Sequence, residues 1–138
     1  MHTTSLDGSI GAAHALALAV AAGVGGLTGL AMLIAPFMVT QLLLGGDIPS
    51  AAGELARLGG AALLSLAIAA WPNAGGNAQS SRSLHGLLTY NLLTVGVLLF
   101  LGIRGVWVGT LLWPAVLLHA FLTVLLVRIW ASQMAEEQ

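Results

Sequence analysis

Four long apolar segments dominate this chain and leave few folds open to it. They run over residues 9–35, 51–71, 83–103 and 106–131. Each contains at least the ~20 residues that an α-helix needs to cross the ~30 Å hydrocarbon core of a bilayer. In lipid the backbone N–H and C=O groups must be satisfied within the segment, which a helix achieves. The sequence therefore predicts an all-α membrane protein with four transmembrane helices.

The composition supports the same class. Of the 138 residues, 58% are hydrophobic and 7% are charged, whereas a soluble domain carries about 25% charged residues. The net charge is -1 and no basic run is present, which argues against nucleic acid as a partner and against a polybasic patch. The chain has neither Cys nor Lys, which excludes thiolate ligands, iron–sulfur clusters and Schiff-base chemistry.

Turn and breaker residues predict the connections between the four segments. Pro36 ends the first one, because a proline disfavours helix at the residue before it. The apolar part of PFMVTQLLLGGDIPS (36–50) is too short to span and predicts an interfacial or re-entrant piece. PNAGGNAQSSRS (72–83) predicts a flexible loop, and GIRG (102–105) a tight turn. We expect one domain over 1–138, an antiparallel up-down bundle with a short interfacial segment between helices 1 and 2.

Both termini of a four-span protein lie on the same side of the membrane. Arg82 and Arg128 fall on that side, and Arg57 and Arg104 on the other, so the positive-inside count is tied. If Arg57 points into the bundle, the balance favours cytoplasmic termini, and we expect insertion in a bacterial inner membrane. The N-terminus has no basic residue and carries Asp7, which predicts a retained first helix rather than a signal peptide.

Small residues and tryptophans add two local predictions. Rows of Gly and Ala recur every four positions, which favours close helix packing within the bundle over a dedicated dimer interface. The rows are Gly11, Ala15, Ala19 and Gly23, then Gly25 and Gly29, and in the second segment Ala52, Ala56 and Gly60. Three tryptophans lie near segment ends, but Trp113 lies about two turns inside the fourth segment and precedes Pro114. That pair predicts a helix kink.

Polar side chains at membrane depth are the candidates for a functional site, because they are costly in lipid and usually face the bundle interior. Placed by a rise of ~1.5 Å per residue, they predict one intramembrane polar cluster, with two further histidines at its far end as weaker candidates. The cluster contains Glu54, Arg57, Tyr90, Asn91, Thr94 and His119, and the further histidines are His14 and His85.

Each of these residues also has a structural interpretation. Glu54 and Arg57 could neutralise each other at a helix entrance, although we expect the pair to face the bundle and fix its packing. Asn91 and Thr94 are typical of hydrogen bonds between helices. His85 is typical of an interfacial residue, and for His119 a structural hydrogen bond to a carbonyl or to Asn91 stands beside a functional role.

No cofactor is required by the sequence. Haem bound by two histidines needs them on different helices at one depth and facing each other, and His14 and His85 meet only the depth requirement. A basic cluster for the propionates is missing. No carboxylate shares the depth of these histidines, which argues against a metal site. We assign no catalytic residue, because no nucleophile–base pair or nucleotide loop is recognisable.

Part of the chain resembles a known group. The stretch GLAMLIAPFMVTQLLLG followed by ARLGGAALLSLAIAAW resembles the DoxX-like group of small four-helix membrane proteins and neighbouring families of unknown function. The resemblance covers residues 23–71, and Arg57 matches a recurrent arginine of the second helix. It implies a four-helix bundle and, for some relatives, an accessory role beside quinone-linked membrane oxidoreductases.

Three functions follow as hypotheses. The first is a non-catalytic accessory or assembly subunit, whose partners are the lipid bilayer and the helices of other membrane proteins or of further copies. The second is a redox-linked protein that binds a quinone or a lipid headgroup between His119, Tyr90, Asn91 and Arg57. The third is a small oligomeric transporter with Glu54–Arg57 as a gate or a proton-coupled site.

Overall fold

The chain folds into five α-helices in a computed structural model that describes residues 4–46, 49–72 and 76–136. The helices are α1 (Thr4–Ile34), α2 (Pro36–Leu44), α3 (Ser50–Ala70), α4 (Gly76–Arg104) and α5 (Leu112–Glu136), and no strand occurs in these ranges. Four of them, all but α2, are long and apolar enough to cross a membrane. The prediction of an all-α, four-span membrane bundle is confirmed.

Two helix starts differ from the sequence prediction. The polar run that was expected to be a loop is helical from Gly76 onward, so α4 begins before residue 83. In contrast, α5 begins at Leu112 rather than at 106, because residues 105–111 form a loop after α4 ends at Arg104. The predicted tight turn GIRG is therefore wrong.

The predicted kink at Trp113–Pro114 is also wrong, and the later helix start explains why. Pro114 lies in the first turn of α5. Backbone N–H groups in a first turn have no acceptor within the helix, so proline is tolerated there without breaking a hydrogen bond. The pair marks the beginning of a helix rather than a bend in one.

The closest helix pair is α1 with α3, and glycines make the approach possible. A Cβ atom built on Gly60 would lie 2.7 Å from the carbonyl oxygen of Gly29, and one on Gly29 would lie 2.7 Å from the oxygen of Gly60. Backbone therefore touches backbone, as small-residue packing in membranes predicts. The earlier part of the row does not contribute, because Gly11 and Ala15 are exposed and a Cβ on Gly23 would meet nothing within 4 Å.

The second pair is α4 with α5, and α1 packs against both of them. In the described part of the chain the backbone of α3 closely approaches those of α1, α2 and α4 but not that of α5. The larger apolar core joins α1, α3, α4 and α5 and includes Leu18, Ala21, Leu84, Leu87, Leu122 and Leu126. A smaller core lies at the other end of the α4–α5 pair and consists of Leu98, Leu112 and Val116.

The short helix α2 is the predicted segment that does not span. Its last carbonyls are capped by the loop between α4 and α5: the N–H of Gly109 donates to Leu43 O at 2.9 Å and that of Leu111 to Leu42 O at 2.8 Å. The final carbonyls of a helix have no partner inside it, so this loop satisfies two of them. The contact ties the end of α2 to the α4–α5 pair.

Candidate functional site

Two polar side chains occupy core positions on the facing surfaces of α4 and α5. Buried residues recur at helical spacing along each of these surfaces. On α4 they are Leu84, Leu87, Asn91 and Leu98, and on α5 they are Leu112, Val116, His119, Leu122 and Leu126. Asn91 and His119 thus lie between the two apolar cores, where a polar group needs a partner.

Asn91 and His119 are each other's partners. His119 Nδ1 lies 2.8 Å from Asn91 Oδ1, and Asn91 Nδ2 donates to Leu87 O at 2.8 Å. Asn91 and His119 are almost fully buried, with 1% and 7% of each residue exposed. Because a carbonyl oxygen only accepts, the group of Asn91 that faces Leu87 is its NH₂ and the group that faces His119 is its oxygen. His119 Nδ1 therefore carries the hydrogen and donates it.

This hydrogen bond leaves the second ring nitrogen of His119 as the reactive one. In a neutral imidazole with a hydrogen on Nδ1, Nε2 presents a lone pair. Nε2 has no hydrogen-bond partner within the described part of the chain. Its lone pair can accept a hydrogen bond from a hydroxyl group or act as a ligand.

Tyr90 and Thr94 flank this pair. The ring of Tyr90 meets that of His119 edge to face, with centroids 5.8 Å apart and planes at 74°, a favourable arrangement for aromatic rings. Thr94 Oγ1 donates to Tyr90 O at 2.8 Å. The hydroxyl of Thr94 is thus satisfied within its own helix. The predicted interhelical hydrogen bond occurs at Asn91 and not at Thr94.

Glu54 and Arg57 lie apart from this group. They form an ion pair at 2.8 Å, and their side chains are exposed, at 65% for Glu54 and 46% for Arg57. The buried side of α3 instead carries Ala56, Gly60, Leu63 and Ala67. The expectation that the pair faces the bundle is therefore wrong, and so is a continuous column to His119, because both side chains point outward and the α3 and α5 backbones do not approach each other within the described residues.

The two other histidines are engaged separately. His14 on α1 contacts Ser132 on α5, with 3.2 Å between Nε2 and Oγ. Since the Ser132 hydroxyl donates to Ile129 O at 2.8 Å, it accepts from His14 and is not activated as a nucleophile. His85 is exposed, and its Nδ1 lies 2.7 Å from Ser81 O. Ser132 was not identified from the sequence, because a serine near a helix end has no distinctive spacing.

The described residues contain no group of three or more His, Cys, Asp or Glu side chains placed to hold a metal ion. The polar group that the structure brings together is therefore Tyr90, Asn91 and His119, with Thr94 beside it. We call it the α4–α5 polar group. It can orient one imidazole and present its Nε2 to a ligand, and its role as a functional site stays a prediction.

Comparison of the chain with protein-family models, with curated proteins and with solved structures finds no match. The resemblance of residues 23–71 to the DoxX-like group therefore stays a prediction.

Proposed function

We propose that this small integral membrane protein is a non-catalytic accessory or assembly subunit of a larger membrane complex. The observation that carries the proposal is the outer face of α3. Residues spaced three or four apart lie on one side of a helix, and on α3 four exposed residues follow this spacing. They are Glu54, Arg57, Ala61 and Ser65, and we call them the α3 outer face.

A charged pair on this face is unfavourable next to lipid. Glu54 and Arg57 both lie within the apolar span Ala51–Ala70, where ionisable residues usually face protein or water. A partner helix that covers the pair would shield it from the hydrocarbon and could add hydrogen bonds to the exposed carboxylate and guanidinium groups.

The rest of the α3 outer face suits a close partner. Ala61 and Ser65 form a small-xxx-small pair, which lets a second backbone approach. By comparison, α5 exposes Leu117, Phe121 and Val124, which are large apolar side chains typical of a lipid-facing surface. Because α3 also exposes Leu55, Leu58 and Ile68 beside this face, the proposal places the protein partner on the small and polar stripe alone and lipid on α5.

The resemblance to the DoxX-like group points the same way, because some of those proteins act beside larger oxidoreductases. Arg57 is the residue of this chain that matches the group's recurrent arginine, and it lies on the α3 outer face. We further propose a bacterial inner membrane with both termini cytoplasmic. Since Arg57 points outward, the count of arginines no longer favours this orientation, and a reporter fused to each terminus would test it.

Copurification tests the accessory role. The tagged chain, extracted from its native membrane in mild detergent, should elute with a larger complex at a fixed ratio. Changing Glu54 and Arg57 together to Gln should release it, because the polar contacts are lost, while Arg104→Gln should not. A stable homo-oligomer without other subunits, or a complex indifferent to the double change, would contradict the proposal.

A second function is favoured by Nε2 of His119, which has no hydrogen-bond partner in the described part of the chain. An acceptor nitrogen beside the ring of Tyr90 suits a ligand that carries a hydroxyl on an aromatic ring, such as a quinol, better than a quinone carbonyl, which itself only accepts. In detergent, a quinol should bind more tightly than its oxidised form, and His119→Leu should abolish the difference. His85→Leu is the matched control, because His85 is exposed outside this group. Equal binding of both forms would argue against this function.

A further inference from the structure

Arg104 lies at one end of the bundle and has no carboxylate partner within the described residues. It is the last residue of α4, and its guanidinium carbon lies 5.4 Å from the centroid of the Phe100 ring. Among the residues that the structure describes, the only ion pair is Glu54–Arg57. Arg57 is thus neutralised by its neighbour, whereas the charge of Arg104 faces an aromatic ring and the surroundings.

A shallow pocket of about 280 Å³ adjoins this arginine. It is lined by Phe100, Leu101, Arg104, Val106 and Trp107, so its lining is almost entirely apolar or aromatic, with Arg104 as the one charged residue. The pocket lies where the apolar span Ser81–Arg104 ends. That is the boundary between hydrocarbon and headgroups, where Trp side chains are enriched.

The loop that follows adds hydrogen-bond donors at the same place. Val106, Trp107 and Val108 are exposed, and their backbone N–H groups donate to no acceptor in the described part of the chain. The N–H groups of Gly109 and Leu111, a few residues on, are in contrast used by α2. A ligand at the pocket would therefore meet one fixed cation, beside a loop segment whose N–H groups are unused within the described residues.

We infer that this pocket binds an anionic phospholipid. The phosphate would lie on the Arg104 guanidinium, which forms charge-assisted and often bidentate hydrogen bonds with phosphate oxygens. The upper part of an acyl chain would lie against Phe100, Val106 and Trp107. A phospholipid is the occupant that fits because it joins an anion to an apolar chain at this depth of the bilayer.

Native mass spectrometry of the full-length chain in detergent tests the inference, with phosphatidylglycerol and phosphatidylcholine as probes. One phosphatidylglycerol should bind, about tenfold more tightly than phosphatidylcholine, because of its net charge. Arg104→Gln should remove this preference and Arg104→Lys should retain part of it. Arg128→Gln is the matched control, an exposed arginine at the other end of the bundle, and should leave the preference intact.

Two further measurements test the apolar wall and the anion site separately. Val106→Asn changes an apolar wall without touching the cation, and it should weaken phosphatidylglycerol binding several-fold. Inorganic phosphate at equal concentration should not displace the lipid; displacement would mean a free-anion site and would overturn the assignment. An unchanged lipid preference in Arg104→Gln, or an equal loss in Arg128→Gln, would overturn it as well.

Discussion

Asn91 Oδ1 accepts a hydrogen bond from His119 Nδ1 at 2.8 Å, and this contact joins α4 to α5 between two apolar cores. It defines the tautomer of the histidine and the rotation of the asparagine amide. Interhelical hydrogen bonds of this kind contribute modestly to membrane-protein stability, about 0.6 kcal/mol on average and up to about 1.7 kcal/mol. The pair therefore has a measurable strength and a defined geometry.

A double-mutant cycle of Asn91→Ala and His119→Ala should give a coupling free energy near this range. The losses of stability from the two single changes should add up to more than the coupling free energy, because each change leaves the other polar group buried without a partner. Reversible unfolding in detergent or bicelles measures it. Thr89→Ala combined with His119→Ala is the control, because Thr89 is exposed on the same helix. Additive effects within about 0.3 kcal/mol at Asn91 and His119 would disprove the coupling.

Gly29→Ala should destabilise the bundle, whereas Gly23→Ala on the same helix should not. The new methyl group at Gly29 would meet the backbone of Gly60 and Leu64 on α3, and overpacking of this kind costs about 1–3 kcal/mol. A methyl group at Gly23 meets open space, and Ala in a helix is favoured over Gly by about 0.5–1 kcal/mol. Thermal unfolding of both variants measures the two changes in stability. Equal shifts in Tm would contradict the α1–α3 contact.

Gly109→Ala should detach α2 from the loop between α4 and α5. A Cβ atom at this position would overlap the backbone carbonyl of Leu42, so the loop must move and its two hydrogen bonds to α2 must lengthen. Amide hydrogen exchange at Gly109 and Leu111, the donors of these bonds, should accelerate in the variant. Thr110→Ala serves as the control because Thr110 is exposed. Unchanged protection at Leu111 would show that the link tolerates the added methyl group.

Arg57→Ala should barely change the stability of the isolated chain. An exposed ion pair between residues three apart on a helix contributes less than about 1 kcal/mol, and Arg57 is about half exposed. Arg104→Ala, also at an exposed position, should therefore give a similar Tm in detergent. A large loss of stability for Arg57→Ala alone would mean that its side chain is covered in the purified protein, for example by a second copy of the chain.

The number of spans and the short non-spanning segment could be predicted because apolar length and proline placement act locally. The start of α5 could not be predicted in this way. Val106, Trp107 and Val108 are apolar enough to extend the span, yet they lie in a loop whose following residues, Gly109 and Leu111, pair with α2. That pairing depends on a partner more than sixty residues earlier, which no local window contains.

The positions of some polar residues could likewise be predicted from the sequence, and those of others could not. The sequence identified Asn91 and His119 as groups that need partners at membrane depth, and a bond between them was one of its alternatives. It misplaced Glu54 and Arg57, because hydropathy and spacing are the same whether a helix turns its charges inward or outward.

Composition and apolar length by themselves determined that this chain is an all-α membrane protein with four spans, since lipid forces each apolar segment to satisfy its own backbone. Only the tertiary structure decided which face of each helix is buried. That choice follows from the close approach of Gly29 and Gly60, which turns the Ala56 side of α3 toward α1 and leaves Glu54 and Arg57 outside. The same packing places Asn91 opposite His119, because the facing apolar residues of α4 and α5 bring the two together.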